Sequence, residues 1–211
     1  MLCFEWREID LSWRRLKTCG RWLFKLVNGV RPQWKGLRRN LKRCRRSTPL
    51  KTRVVVDSTY LLPSLGISVK SLDPEDIRLI RRLRERVDYC YPAPLIAELV
   101  AKAAREASKR GLKSLPREAL DGFRALLAGL DVDVELPEPS GLELAAELWI
   151  RGHRDIMDNV AYAHAVKTQA YLMTLDETFR RFLSENGYTL DIVITHRELE
   201  NIMKELSREN R

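Results

Sequence analysis

The sequence lacks the long apolar segment that a transmembrane helix requires. No run of about 18 apolar residues occurs anywhere in the chain, so we expect no membrane-spanning helix. The first thirty residues also lack the layout of a signal peptide, because Arg14, Arg15 and Lys17 interrupt any apolar run. Together these absences predict a cytoplasmic protein.

Cysteine is scarce, and its spacing matches neither a zinc motif nor a disulfide framework. No cysteine belongs to a C-x-x-C pair, so free, reduced thiols are expected. The histidines show no metal-binding spacing either, and His164 is expected to be bonded to a partner or half-buried. The four cysteines are Cys3, Cys19, Cys44 and Cys90. Cys90 lies in a strand-like segment and is predicted to be a small buried residue.

Several motifs of nucleotide and phosphate chemistry are absent as well. The sequence contains neither G-x-x-x-x-G-K-[ST] nor G-x-G-x-x-G, which argues against a P-loop or a dinucleotide site. A phosphatase with an aspartate nucleophile would need D-x-D-x-[TV]. The segment Asp57-Ser58-Thr59 lacks the second aspartate, so that class ranks low.

Charge is distributed very unevenly along the chain. Residues 1–53 hold 16 of the 38 Lys and Arg residues but 3 of the 29 Asp and Glu residues, a net charge of +13. The remaining 22 basic and 26 acidic residues give 54–211 a net charge of −4. The basic character of the whole chain therefore belongs to its N-terminal quarter, which predicts two parts, an extension (1–53) and a domain (54–211).

Three interpretations of the extension remain open. It is an arm whose Lys, Arg and Trp side chains contact RNA phosphates and bases, a segment that lies on an anionic membrane or ribosome surface, or the product of a start codon assigned too far upstream. The composition changes abruptly at Val54, which is consistent with each of the three.

From Val54 onward, apolar runs alternate with helical spacings. The apolar runs predict five strands, over 54–56, 87–91, 132–136, 170–174 and 192–194. The helical spacings predict helices over 74–83, 95–109, 116–127, 141–151, 155–167 and 177–185, and a last helix after Thr195. Two pairs, Ser140 with Glu143 and Thr195 with Glu198, predict capping boxes. The alternation indicates an α/β fold with a mostly parallel sheet covered on both faces.

Acidic residues recur where a ligand of such a sheet would bind, at the carboxyl ends of the strands. Asp57 ends the first strand, and Asp176 follows the fourth. Glu98 lies one turn into the helix after the second strand, and Asp158 lies in the first turns of the helix before the fourth. Clustered carboxylates repel one another unless a cation lies between them. Mg²⁺ and Mn²⁺ prefer oxygen ligands, and either ion can activate a water molecule towards a phosphodiester.

The motifs that carry these acids resemble those of PIN domains, in the same order along the chain. Val54–Thr59 looks like the opening strand and first acid, and Pro94–Leu99 like the second motif. Asp158–Ala163 is similar to the third motif. Leu172–Asp176 is similar to the fourth, including its T-x-D pattern, with Phe179 following. The resemblance covers about residues 54–200.

This resemblance implies a PIN-like three-layer α/β/α sandwich that cleaves RNA as a Mg²⁺- or Mn²⁺-dependent endoribonuclease. Asp57, Glu98, Asp158 and Asp176 would bind the metal, with a hydroxyl of Ser58 or Thr59 nearby. Within the family, the VapC-like toxins are the most similar subgroup, which implies a small antitoxin partner and a homodimer. The alternative function is a PIN-like module that binds RNA or protein without catalysis.

Each acid also has an ordinary structural interpretation. Asp57 and Asp176 are each placed to cap a turn or helix, and Glu98 could belong to a solvated helix face. Asp155 and Asp158 share a helix face, so we expect one to be the N-cap and the other the ligand. We favour Asp158 as the ligand, with Asp155 an acid that supports the metal site from nearby.

Overall fold

The computed structural model describes residues 51–209, where strands and helices alternate along the chain. The strands are β1 (Thr52–Val56), β2 (Val87–Pro92), β3 (Asp133–Glu135), β4 (Tyr171–Met173) and β5 (Val193–Ile194). The α-helices of this region are α1 (Ser58–Leu61), α2 (Pro74–Leu83), α3 (Ile96–Lys109), α4 (Arg117–Leu127), α5 (Pro139–Ile150), α6 (Ile156–Thr168), α7 (Glu177–Glu185) and α8 (His196–Glu209). Short 3₁₀ segments cover Leu62–Leu65 and Ala93–Leu95.

All five strands are parallel, in the order β3-β2-β1-β4-β5. The chain moves outward from β1 to β3 and then crosses back to β4 on the other side of β1. Because parallel crossovers are right-handed, this reversal puts the connections before and after β3 on opposite faces of the sheet. Helix α6 packs on β1, β2 and β4, and α8 packs against α2. The predicted α/β/α sandwich is therefore confirmed, with a sheet that is parallel throughout.

The central strand β1 is buried from both sides, which explains its continuous apolar sequence. Val54 and Val55 are fully buried, and Val56 is 3% exposed. Strands that are covered on both faces have no solvent side and so do not alternate polar with apolar residues. The three valines thus fix β1 in the middle of the core, with Asp57 as the first residue beyond its carboxyl end.

Most predicted element boundaries are confirmed, and one predicted cap is wrong. The Thr195–Glu198 capping box is present, with Thr195 N donating to Glu198 Oε2 at 2.6 Å and Glu198 N donating to Thr195 Oγ1 at 3.3 Å. The Ser140–Glu143 box is absent, because α5 already begins at Pro139 and its N-cap makes no side-chain hydrogen bond. Proline at the first helical position favours this earlier start. Helix α1 was not predicted from the sequence.

The predictions for the basic extension fall on residues that, up to position 50, lie outside the described part of the chain. The start of β1 at Thr52 falls inside the segment assigned to the extension, so the strand begins slightly earlier than its apolar run. None of the helices between residues 51 and 209 combines the length and the hydropathy needed to cross a bilayer.

Gly122 of α4 permits a close approach to the 3₁₀ turn, and a larger residue should be destabilising there. A Cβ atom at this position would lie 2.4 Å from the backbone oxygen of Ser64 and 2.8 Å from Leu65 Cδ2. We expect Gly122→Ala to lower the free energy of unfolding by about 1–3 kcal/mol, as overpacked core substitutions do. Urea denaturation of the variant and the wild type measures this difference.

Gly141 of α5 is the matched control, because it is also a helical glycine. A Cβ atom there meets its nearest neighbour, Lys167 Cγ, at an ordinary 3.6 Å. Gly141→Ala should therefore be neutral or stabilising by about 0.4–1 kcal/mol, through the lower entropy of the unfolded chain. Equal effects of the two substitutions would contradict the assigned close approach.

Candidate active site

The four predicted acids converge on the carboxyl edge of the sheet, where the strand order reverses. Strands β1 and β4 are neighbours, with Val56 opposite Met173. Asp57 follows β1 directly, and Asp176 follows β4 by three residues. The chain leaves these two adjacent strands towards opposite sides of the sheet. Such a reversal opens a crevice between the connections, and ligands of open α/β sheets bind there.

Thr174 links the two strand-end acids through one buried hydroxyl group. Its Oγ1 donates to Asp57 Oδ2 at 2.9 Å and accepts from the backbone N–H of Asp176 at 3.1 Å. The Thr174 side chain is 2% exposed, so water does not compete for these bonds. This arrangement gives the T-x-D pattern a physical reason, because the threonine orients the carboxylate of Asp57 and holds the backbone of Asp176.

Asp57 and Asp176 also act as helix caps, so the structural interpretation of each is correct. Asp176 Oδ1 accepts from the backbone N–H groups of Thr178 and Phe179 at 2.8 and 2.9 Å. Asp57 Oδ1 accepts from Thr59 N at 3.3 Å at the start of α1. A carboxylate has two oxygens with about four lone-pair sites, so a cap leaves acceptor capacity for a cation. Capping and metal binding are thus compatible in both residues.

Glu98 lies in the first turn of α3 and has two close partners. Its Oε2 accepts from Ser58 Oγ at 2.5 Å, and its Oε1 lies 2.6 Å from Lys102 Nζ. Ser58 is fully buried, and its Oγ also lies 2.8 Å from the hydroxyl oxygen of Tyr91. Glu98 is therefore held in place by neighbours and does not belong to a freely solvated helix face.

Helix α6 separates the roles of its two neighbouring aspartates. Asp155 is the N-cap, accepting from the backbone N–H groups of Met157 at 2.9 Å and Asp158 at 3.4 Å. Asp155 is exposed, whereas the Asp158 side chain is 21% exposed. The structure thus assigns the cap to Asp155 and leaves Asp158 as the acid on the inner side of the helix start. His153 Nε2 lies 3.9 Å from Asp158 Oδ2.

The pKa of Asp158 reflects both its burial and the acidic residues around it. Burial, followed by the negative charges of its acidic neighbours, raises the pKa of Asp158 to about 8. The neighbouring acids that contribute are Asp155, Asp57, Asp176 and Glu98. Burial also raises the pKa of Asp57, against the opposing effects of the Thr174 and Thr59 hydrogen bonds and of Lys102. A divalent cation would reverse this balance, since its charge favours ionised carboxylates.

The acids lie near one another without all being in mutual contact. Within residues 51–209, no three of these carboxylates each offer an oxygen within 4.8 Å of the others. Mg²⁺ commonly keeps several waters and takes only one or two protein carboxylates. The observed spacing therefore suits a hydrated ion better than a closed cage of protein ligands.

Three residues of this site were not found from the sequence. Lys102 was detectable in principle, because it follows Glu98 by four residues and thus shares its helix face. Thr174 belongs to the T-x-D pattern, but the sequence alone assigns no role to its hydroxyl group. Tyr91 carried no signal, because its contact with Ser58 joins residues on different elements.

The raised pKa of Asp158 predicts a pH-dependent effect of Asp158→Asn on stability. The folded-state pKa of about 8 exceeds the ordinary value of 3.8, so folding favours the protonated acid. This contribution is complete below about pH 4 and is lost as the pH rises through about 8. Asparagine does not ionise, so the variant should melt at a higher temperature than wild type by a margin that grows from about pH 5 to about pH 8.

Thermal melts in EDTA at both pH values measure this margin. Asp191→Asn is the matched control, because Asp191 is exposed and lies just before β5, at the opposite end of the strands. It should leave the melting temperature unchanged at both pH values. A margin for Asp158→Asn that is the same at both would show that Asp158 is ionised throughout.

Comparison with known proteins identifies the family. A family model described as "PIN domain" matches residues 54–183, while no curated protein matches the chain. A similar solved structure is the crystal structure of VapBC2 from Rickettsia felis bound to a DNA fragment from their promoter. It shares 12% sequence identity with a TM-score of 0.42, over 62% of this chain and 93% of that chain. The family model spans more than half of the chain and includes all four predicted acids, and the chain therefore belongs to the PIN-domain family.

Proposed function

We propose that this PIN domain is an endoribonuclease that hydrolyses RNA phosphodiester bonds with Mg²⁺ or Mn²⁺. The observation that supports it best is the convergence of Asp57, Glu98, Asp158 and Asp176 on the carboxyl edge of β1 and β4. PIN domains are generally metal-dependent nucleases, which agrees with this arrangement of acids. Each carboxylate would be a ligand of the metal or of its bound waters.

The donor set fits a hard divalent cation. All four side chains offer carboxylate oxygens, the ligand type that Mg²⁺ and Mn²⁺ prefer. The pKa of Asp158 is already raised, first by burial and then by the neighbouring negative charges. When bound, the ion lowers the pKa of a water molecule and withdraws charge from the phosphate.

The remaining residues of the site hold the acids in position. Thr174 fixes the orientation of Asp57, while Ser58 and Tyr91 restrict Glu98 from the buried side. Lys102 supplies positive charge beside Glu98 and lowers the pKa of Asp57, so it partly balances the carboxylates before an ion arrives. Restricted side chains lose less entropy when a ligand binds, which favours a defined metal geometry.

The charge distribution bears on the RNA substrate. The net charge of −4 on residues 54–211 repels phosphate, whereas that of +13 on residues 1–53 attracts it. We therefore assign the main phosphate contacts to the basic extension. Binding of this kind weakens steeply with salt, because the entropy gained when the RNA releases its counterions falls as the salt concentration rises.

The predicted antitoxin, homodimer and cytoplasmic location remain proposals for this chain. They derive from the resemblance of its motifs to VapC-like toxins and from the sequence features described above. With a small antitoxin as its partner, the nuclease would be the toxin of a toxin–antitoxin pair.

A second candidate function is a PIN-like module that binds RNA or a protein without cutting it. One observation favours it. Lys102 Nζ lies 2.6 Å from Glu98 Oε1, so the ammonium group lies where a metal ion bound to this oxygen would lie. In a non-catalytic domain, this lysine would replace the ion permanently.

Cleavage of a mixed RNA pool by the full chain distinguishes the two functions. We expect cutting with Mn²⁺, none with EDTA, and a loss of about 100-fold or more in Asp57→Asn. Partners of metal ligands already cost 10–100-fold when they are replaced, and a ligand should cost at least as much. Gel analysis of the fragments gives the rates.

Asp191→Asn serves again as the matched control and should cut like wild type, because this exposed aspartate lies at the other end of the strands. Full activity of Asp57→Asn would exclude the acid site as the catalytic centre. Absence of cutting by every form, together with no Mn²⁺ binding by calorimetry, would refute the nuclease and favour the binding module.

A further inference from the structure

We propose that Cys90, Glu135 and His164 form a separate binding site for a zinc-type divalent cation, which Arg53 occupies in the metal-free protein. These three residues are called the Cys–Glu–His cluster below. The proposal is independent of the nuclease activity, since the cluster shares no residue with the four acids.

The cluster brings together three elements on one face of the sheet. Cys90 lies in β2, Glu135 is the last residue of β3, and His164 lies in α6. Each residue offers one ligand atom, and these atoms all lie within 4.8 Å of one another. The closest measured pair is His164 Nε2 and Glu135 Oε2, at 3.0 Å. Among the described residues, these are the one group of three His, Cys, Asp or Glu side chains whose ligand atoms lie so close together.

The donor set is of the zinc type and differs from that of the acid site. Thiolate, imidazole and carboxylate are the three ligand classes of Zn²⁺, and three protein ligands with an open fourth position are a common arrangement. Ligand atoms around one tetrahedral Zn²⁺ lie about 3.3–3.8 Å apart, so small side-chain rotations suffice here. A thiolate and a carboxylate together also neutralise the ion, which favours a buried position.

Burial restricts access to a single side of the cluster. Cys90 and His164 are each 2% exposed, whereas the Glu135 side chain is 32% exposed. Burial raises the pKa of the Cys90 thiol to about 11, so the metal-free protein keeps the proton on Sγ. This thiol donates to the backbone oxygen of Val54 at 3.6 Å. An ion would enter beside Glu135, and the thiol proton would leave to solvent as Sγ binds the metal.

The guanidinium group of Arg53 lies against the cluster and binds its carboxylate. Its guanidinium nitrogen lies 2.7 Å from both carboxylate oxygens of Glu135. The ordinary interpretation is a satisfied ion-pair network that joins β1, β3 and α6. The Arg53 side chain is 39% exposed, however, so it can turn outward and leave Glu135 to an ion. Arg53 thus supplies the positive charge that a metal would otherwise provide.

Cobalt spectroscopy of the full-length, reduced protein tests the site. Co²⁺ is titrated in excess Mg²⁺, which fills the acid site, and the thiolate-to-cobalt charge-transfer absorption in the near ultraviolet is recorded. Carboxylates alone do not give this band. We expect the band in wild type and its loss when Zn²⁺ is added, because Zn²⁺ binds such sites more tightly than Co²⁺.

The other cysteines of the chain require their own control. A variant with Cys3, Cys19 and Cys44 all changed to Ser should keep the band, and Cys90→Ser should lose it. Circular dichroism shows whether Cys90→Ser is folded. Glu135→Gln provides a second variant at a partly exposed position and should weaken Co²⁺ binding about 10–100-fold.

Arg53→Met tests the competing cation. Removing the guanidinium should tighten Co²⁺ binding several-fold, whereas Arg105→Met, which changes an exposed arginine of α3, should leave it unchanged. Failure of Arg53→Met to tighten binding would refute the role of Arg53. No band in wild type, a band that survives in Cys90→Ser, or a band lost in the triple Ser variant would refute the site itself.

Discussion

Repulsion between carboxylates at the edge of β1 and β4 is the constraint on which the site depends. Asp57 and Asp158 both hold their protons more strongly than ordinary aspartates, because they are buried near further acids. Such an arrangement is unfavourable for the folded chain by itself. Thr174 and Lys102 relieve it only in part, through one hydrogen bond and one nearby charge. The carboxylates therefore lack compensating positive charge, which a bound cation would supply.

The strand and the acid at this edge of the sheet could be predicted from the sequence. A strand that is buried on both faces, such as Val54–Val56, reads as a continuous apolar run, so the polar residue that follows it marks the edge of the sheet. Asp57 was therefore predictable together with its location. The Thr195–Glu198 capping box is equally local, since both partners lie within one turn. The fold followed from the alternation of such strands with capped helices.

Other features depend on contacts between distant elements, which a single sequence does not reveal. The Ser58–Tyr91 contact joins α1 with β2, and neither residue type is diagnostic by itself. The predicted box at Ser140 failed because Pro139 provides a competing start for the same helix. The Cys–Glu–His cluster is likewise not visible in the sequence, because its members come from two strands and one helix in no recognisable spacing.

The position of β4 beside β1 has a consequence for the synthesis of the protein. The hydrogen bond between Thr174 and Asp57 spans 117 positions, and every strand pair that includes β4 awaits most of the chain. Contacts at such separation form late, because a long loop must close first. When β1 to β3 have been translated, only Asp57 and Glu98 of the four acids are present. The four acids come together only after Asp176 has been synthesised, so a product truncated before β4 lacks the β1–β4 edge on which they meet.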